Sequence, residues 1–519
     1  MPNLFNIRLK RLYQNHTHSF QWGIFLFFFG CLAVLLIVNV NRFFPFISDD
    51  AFISLQYSKR LLQGYGLTWT SGVPVEGYSN LLWVLLVALL CLNGIDLIQA
   101  AWLLGFAGMF TAMAAILYLH RPTTLAAALG GLIGGLVFVL AAPIAVWTIG
   151  GLEQPLLLAL LAWGWVSLLP TIEGKDHNLH SIILPGILFG LACLTRPDAP
   201  LFVVAATGVI LVKRGFHPTA WRDAILFACI PLCFYLGQTV FRLIYYGEWL
   251  PNTALVKGVF SVKHLREGAH YLKWGMLALG FIPFLAAASA LIGLLNDRRR
   301  ASVLIFGASA FIWACYVVLI GGDIFPGWRH LTPLILPLAF LVADGLEWLF
   351  SLPGSYLRNL KSVIIINLTL TLLFTVYLGK IYYPAQMEDK TNQAAVEERW
   401  EWKGQPVGRL FKQGFGQQQA LLAVDPAGSL PYFSDLPAID MLGLNDYYIT
   451  HHPPKDIGEG WLGHELGDGA YVLSRRPDIV LFYLTEGKHD PFYLSGIQMV
   501  NDPIFTKNYT FTQFLTSPL

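Results

Sequence analysis

Apolar residues fill the first three quarters of the chain in runs of roughly 20, the length an α-helix needs to cross a hydrocarbon layer. The runs fall at 22–40, 100–119, 124–142, 151–170, 181–195, 199–212, 222–243, 273–295, 301–320, 331–350 and 362–380. They predict about 11 transmembrane helices, a few of them short. A further apolar stretch at 80–92 is too short for a span.

Basic residues orient this pattern. Arg8, Lys10 and Arg11 precede the first run, Lys213, Arg214 and Arg222 flank one loop, and Arg298, Arg299 and Arg300 form another, followed by Arg358 and Lys361. Cytoplasmic loops are enriched in such residues. The N-terminus and these loops are therefore expected in the cytoplasm, and 244–272, 321–330 and the chain after 380 on the far side. Parity is restored most simply if 80–92 lies in the interface or re-enters, which makes 41–99 the first outer loop, although short helices elsewhere could absorb the same conflict. The basic-then-apolar start reads as an uncleaved signal-anchor, because no small-x-small site follows it.

After residue 380 the pattern changes. Long apolar runs give way to short ones, ALLAVD (420–425) and PDIVLFYL (477–484), each ended by a charge or turn residues. These read as buried strands. The expected architecture is an all-α polytopic membrane domain over 1–380, followed by a small extracytoplasmic α/β domain over 381–519.

Composition supports the membrane reading: 55% of the 519 residues are hydrophobic and only 13% charged, against about 25% charged in soluble domains. The net charge of +2 and the absence of a basic tail give no sign of a nucleic-acid partner. All six cysteines lie in apolar runs and read as small core hydrophobes.

The candidate chemistry gathers in the outer segments. Asp49 and Asp50 stand directly behind the first span and lead into a loop that ends in Glu76. Carboxylates at a membrane mouth are costly to desolvate and usually mark chemistry. Adjacent side chains do not share a helix face, so the two aspartates should have different jobs, one in the cavity and one capping a helix. Glu153 opens a span after Gly150-Gly151, and Arg196 stands two residues from Asp198 between short helices. Asn252 and Lys257 lie in one outer loop, where they could meet a sugar hydroxyl and a phosphate. Asp323, Arg329 and His330 lie in another, and an Arg fork suits phosphate oxygens. No P-loop, GxGxxG, HExxH or GxSxG occurs, which argues against an ATP-driven pump, a Rossmann enzyme, a zinc protease and a serine hydrolase.

Several segments in fixed order carry a resemblance: DDAFISLQYSKRLLQGYGLTW, VEGYSNLLW, GGLEQPL, LTRPDA, YYGEWLPNTALVK, GGDIFPGWRHLTPLILP, AVDPAGSLPYFSDLPAIDMLGLND and GHELGDGAYVLSRRPDIV. Together they resemble the GT-C superfamily of membrane glycosyltransferases, and within it the bacterial branch that includes the mycobacterial terminal arabinofuranosyltransferases. The likeness runs from residue 48 to about 480. One departure is Gln56-Tyr57, where much of the branch has Arg-Tyr. If that Arg binds phosphate, the work here falls to Lys59, Lys257 or Arg329.

The resemblance implies an inner-membrane enzyme that transfers a sugar, with inversion, from a polyprenyl-phosphate donor to a cell-envelope glycan or glycolipid acceptor. Asp49 is the preferred general base, with Asp50 beside it. Arg329, Lys257 and His330 are the expected donor-phosphate ligands. Glu76, Tyr78, Asn80, Glu153, Arg196, Asp198, Asn252, Asp323, Asp440, Asn445 and Asp446 are the expected substrate contacts. The superfamily varies in metal use. No dedicated metal cage is visible, so no metal ligand is assigned and a divalent cation stays optional. A transporter or flippase of lipid-linked sugars is the alternative, but it should show internal helix repeats, and none is seen.

Overall fold

The computed structural model describes residues 2–175, 178–257, 261–357, 359–398, 400–455, 457 and 463–513. Among them, seven helices are long and apolar enough to cross a membrane: Ser19–Asn41, Leu97–Leu119, Gln154–Glu173, Pro218–Tyr246, Arg300–Leu319, Arg329–Tyr356 and Leu360–Glu388. The count reaches nine if two bent pairs each form one span. Three shorter apolar helices, Leu81–Cys91, His180–Thr195 and Pro200–Lys213, complete the set. The expected count of about 11 includes His180–Thr195 and Pro200–Lys213 as spans, and both are shorter than 18 residues.

Both bends have a local cause. Leu125–Leu140 and Ala142–Ile149 meet at 61°, and Val262–Ala278 and Ile282–Leu294 at 91°. Each second helix begins with a proline at its first or second position, Pro143 and Pro283. Proline removes an N–H and clashes with the preceding turn, so the first helix cannot run through. Gly280, with φ +60, turns the chain at the sharper bend.

The helix Leu81–Cys91 stays at one end of the bundle. With 11 residues it is roughly 16 Å long. Trp83 Nε1 donates to the Gly151 carbonyl at 3.1 Å, and in the helix that follows Trp102 Nε1 donates to the Ile149 carbonyl at 2.9 Å. Both sides of the short helix are thus tied to the same turn, 149–151.

The bundle core is aromatic at its centre. Trp165 packs edge-on to Phe202, Phe306 and Phe340, and Trp313 stacks on Phe202 at 5.2 Å. At one end, Arg214 binds Asp223 at 2.6 Å and reaches Thr171, while Arg299 approaches Asp344 and Glu347. The opposite end carries the first loop, the turns 150–153, 196–199 and 321–330, and the chain after 380.

That C-terminal segment contains a three-stranded parallel sheet, with β1 (Leu422–Val424) between β2 (Ala438–Asp440) and β3 (Ile479–Leu481). Ala423, Ile439, Met441, Ile449, Val472, Phe482 and Met499 form its core. The segment packs on the helix Asp49–Leu62. Phe52 meets Tyr432 and Phe433, both at 5.3 Å, Lys59 binds Asp435 at 2.8 Å, and Trp69 Nε1 donates to the Ala427 carbonyl at 3.1 Å.

Candidate active site

Asp49 and Asp50 open the helix Asp49–Leu62, where the helix dipole favours negative charge. Their surroundings differ sharply. Asp49 is buried, and its carboxylate accepts three hydrogen bonds from the C-terminal segment. Ser429 donates its backbone N–H and its hydroxyl to Oδ1, each at 2.8 Å, and Gly428 donates its N–H to Oδ2 at 3.0 Å. A Cβ on Gly428 would meet that carboxylate at 2.5 Å, so only glycine permits the approach. Burial pushes the Asp49 carboxyl above its ordinary value, against the opposing pull of Ser429. Asp50 is only partly buried and makes no hydrogen bond or ion pair among the described residues. Its charge acts on Arg329.

A set of paired charges is tied to the Asp49 helix through Asn80 and Ser54. Arg196 is held on three nitrogens: Nε and Nη2 donate to Asp198 at 2.9 and 2.6 Å, and Nη1 donates to Glu153 at 2.6 Å. Glu153 also accepts from Asn80 Nδ2 at 2.8 Å, and Asn80 bonds Ser54 of the Asp49 helix. Gly151, with φ +80, presents Glu153 here; a Cβ on it would meet Ala51 at 2.7 Å. Burial pushes the Asp198 carboxyl up, but the Arg196 guanidinium outweighs it and holds the group below its ordinary value.

Arg329 is held differently. Its Nε and Nη2 donate to Asp323 at 2.8 and 3.0 Å, and its guanidinium lies over the Phe325 ring at 4.1 Å and near Trp147 at 5.8 Å. Its Nη1 takes part in no hydrogen bond among the described residues. Trp328 sets this geometry from the left-handed region, φ 46, which costs a bulky residue about 1–3 kcal/mol and is typical of functional sites. His330 follows, with Nε2 4.0 Å from Asp323 and its backbone N–H donating to the Tyr271 hydroxyl at 3.2 Å. Four carboxylates (Asp50, Glu153, Asp198, Asp323) face two guanidiniums (Arg196, Arg329), an excess of two negative charges.

Other expected contacts lie elsewhere. Glu76 forms a buried ion pair with Arg242, and its carbonyl accepts from the Asn252 N–H at 3.1 Å. The Asn252 side chain donates to Thr450 at 3.1 Å and to the Asp446 carbonyl. Tyr78 packs between Tyr57 and Tyr246. Asp440 accepts from the backbone and side chain of Asn445, and Asp446 caps the helix Tyr447–His451. Through these bonds Asn252 joins the first loop to the C-terminal segment. Lys59 is likewise engaged, by Asp435 and the Tyr432 carbonyl. The Lys257 side chain lies outside the described residues.

Sequence reasoning missed Arg242, Ser429 and Trp147. Arg242 had a signal: it is a lone charge near the end of the apolar helix Pro218–Tyr246, and a charge in a span needs a partner.

Comparison with known proteins follows the same lines. A family model described as a domain of unknown function (DUF8728) matches residues 391–516. The terminal β-(1→2)-arabinofuranosyltransferase of Corynebacterium glutamicum is 26% identical over 409 residues, covering 69% of this chain and 55% of that protein. Its Mycobacterium tuberculosis namesake is 24% identical over 342 residues, covering 58% and 54%. The chain thus spans about half the length of these relatives. Among solved structures, ArnT from Cupriavidus metallidurans bound to undecaprenyl phosphate superposes with a TM-score of 0.55 at 14% identity, covering 80% of this chain and 85% of that one. The archaeal oligosaccharyltransferase AglB from Archaeoglobus fulgidus, in complex with an inhibitory peptide and a dolichol-phosphate, gives 0.52 at 12% identity, covering 82% and 64%. The chain therefore has the GT-C fold, and its sequence is related to the bacterial terminal arabinofuranosyltransferases.

Proposed function

We propose that this chain is an integral-membrane glycosyltransferase that moves a sugar from a polyprenyl-phosphate donor to a glycan or glycolipid acceptor, with Asp50 as general base. The observation that carries the reading is the contrast between the two aspartates. Asp49 spends its lone pairs on Ser429 and Gly428, while Asp50, next to it in the chain, makes no hydrogen bond or ion pair among the described residues. The sequence preference for Asp49 gives way on this point.

The chemistry follows from the paired charges. The acceptor hydroxyl oxygen attacks the anomeric carbon, and Asp50 takes its proton. The bond from that carbon to the phosphate oxygen breaks, and the phosphate leaves with the electron pair. Attack opposite the leaving group inverts the anomeric centre. Arg329 Nη1, free of Asp323, is the guanidinium group best placed to take a phosphate oxygen. Arg196 has no nitrogen to spare and instead holds Glu153 and Asp198 in place.

Undecaprenyl phosphate bound to ArnT and dolichol-phosphate bound to AglB, on the same fold, support a polyprenyl-phosphate carrier. The clustering of Arg214 and Arg299 at the end opposite the sheet supports a cytoplasmic N-terminus, a C-terminal segment outside the cytoplasm, and a site that opens on the outer face of the bacterial inner membrane. Transfer from a synthetic polyprenyl-phosphate sugar by the purified protein, in wild type and Asp50→Asn, tests the reading.

A further inference from the structure

At the bundle end away from Asp50, two helices bring a histidine and two carboxylates together. His120 ends the helix Leu97–Leu119, and Asp344 and Glu347 are three positions apart on the helix Thr332–Tyr356, which puts them on one face. Atoms offered by the three lie within 4.8 Å of one another. The His120 side chain is 1% exposed. Its Nδ1 is 2.7 Å from Glu347 Oε2. That contact places the ring proton on Nδ1 and leaves a lone pair on Nε2, the arrangement that orients an imidazole toward a metal.

Nε2 is buried and has no hydrogen-bond partner. Its nearest acidic neighbour, Asp344 Oδ1, is 3.7 Å away. That gap is too long for a hydrogen bond. A bridging water at about 2.8 Å from each atom would have to bend to roughly 80°. Two metal bonds of about 2.1 Å span the same distance at roughly 120°. The other Asp344 oxygen is fixed by the Ser302 hydroxyl at 2.6 Å, which keeps Oδ1 turned to the ring.

Charge points the same way. Arg299, 3.9 Å from the buried Asp344 and 3.4 Å from the partly exposed Glu347, offsets one of the two carboxylates. One negative charge remains, and a buried charge needs a partner. A proton on Nε2 would supply it but would have no acceptor within hydrogen-bond reach. We propose that His120 Nε2 and Asp344 Oδ1 bind a divalent cation, with Glu347 holding the imidazole. The mixed imidazole and carboxylate donors suit zinc. The ion would fasten the end of the Leu97–Leu119 helix to the helix Thr332–Tyr356, and through Arg299 to Arg300–Leu319.

The test is elemental analysis of the full-length protein, purified in detergent from zinc-supplemented cells without chelator, together with thermal unfolding. About one zinc per chain is expected in wild type, with background levels in His120→Ala and Asp344→Asn. A strong chelator should lower the wild-type Tm by several degrees, and added zinc should restore it. Glu347→Gln should keep the site at about 10–100-fold weaker affinity. A metal-free wild type whose Tm ignores both chelator and zinc would overturn the proposal and leave an ion-pair lock. Wild-type metal content and chelator response decide even if a variant fails to fold, and neither depends on sugar transfer.

Discussion

Ser429 gives Asp49 Oδ1 both its backbone N–H and its hydroxyl, each at 2.8 Å, across 380 positions of sequence. With the Gly428 N–H on Oδ2, the carboxylate acts as a clasp between the first loop and the sheet segment. Asp49→Asn turns an acceptor oxygen into a donor that faces another donor. The loss should be about 1–3 kcal/mol of stability, the cost of an unmet buried partner. Limited proteolysis should then cut between the last long helix and the sheet faster than in wild type, while Ser429→Ala, which loses only the hydroxyl bond, should show a smaller effect. Equal protease resistance in all three proteins would argue against the clasp.

The pairing of Arg329 with Asp323 sets a second expectation. Arg329→Lys keeps the charge but loses the planar fork. Binding of a polyprenyl-phosphate analogue should weaken in Arg329→Lys and further in Arg329→Ala. Asp323→Ala frees the guanidinium, so it should loosen donor binding without abolishing the direct contact. Wild-type affinity in both alanine variants would remove Arg329 from the donor site.

A third expectation concerns pH. Burial at the end of β1 pushes the Asp425 carboxyl up to about 7, and burial at the end of β2 pushes Asp440 up to about 6, even though Asn445 pulls the other way. In the folded segment both hold protons that an unfolded chain releases near pH 4. Their contribution is complete below the unfolded value and is lost as pH rises through 6 and 7. The sheet segment should therefore melt several degrees lower at pH 8 than at pH 5. Asp425→Asn, which stays neutral at every pH, should flatten much of that slope. A melting temperature that rises between pH 5 and 8 would contradict the assignment.

How much of this was legible in the sequence depends on range. Runs of apolar residues announce helices locally, and the strands around Ala423 and Val480 announce themselves by their short apolar blocks. The expectation that 80–92 does not cross came from its length and from charge parity. The bend at Pro283 lies inside the apolar run 273–295, so hydropathy passes over it, whereas the run 124–142 stops just short of Pro143. The jobs of Asp49 and Asp50 could not be told apart because the deciding partner, Ser429, lies hundreds of residues away. For the same reason the bonds of Asp440 to Asn445 and of Asp446 to the helix Tyr447–His451 were not legible: polar residues in a shared motif read alike whether they bind a ligand or one another.

The central claim is that Asp50, and not Asp49, takes the acceptor proton. It is tested most directly by the rate of sugar transfer from a polyprenyl-phosphate donor in purified Asp50→Asn, measured beside its thermal unfolding. A lost general base costs about 10²–10⁴-fold. The expected result is a rate loss in that range with an unchanged Tm, since Asp50 makes no hydrogen bond among the described residues. Asp49→Asn should instead lower the Tm, and its rate should recover at low temperature, where the clasp still holds. An Asp50→Asn protein that transfers sugar at the wild-type rate would contradict the account.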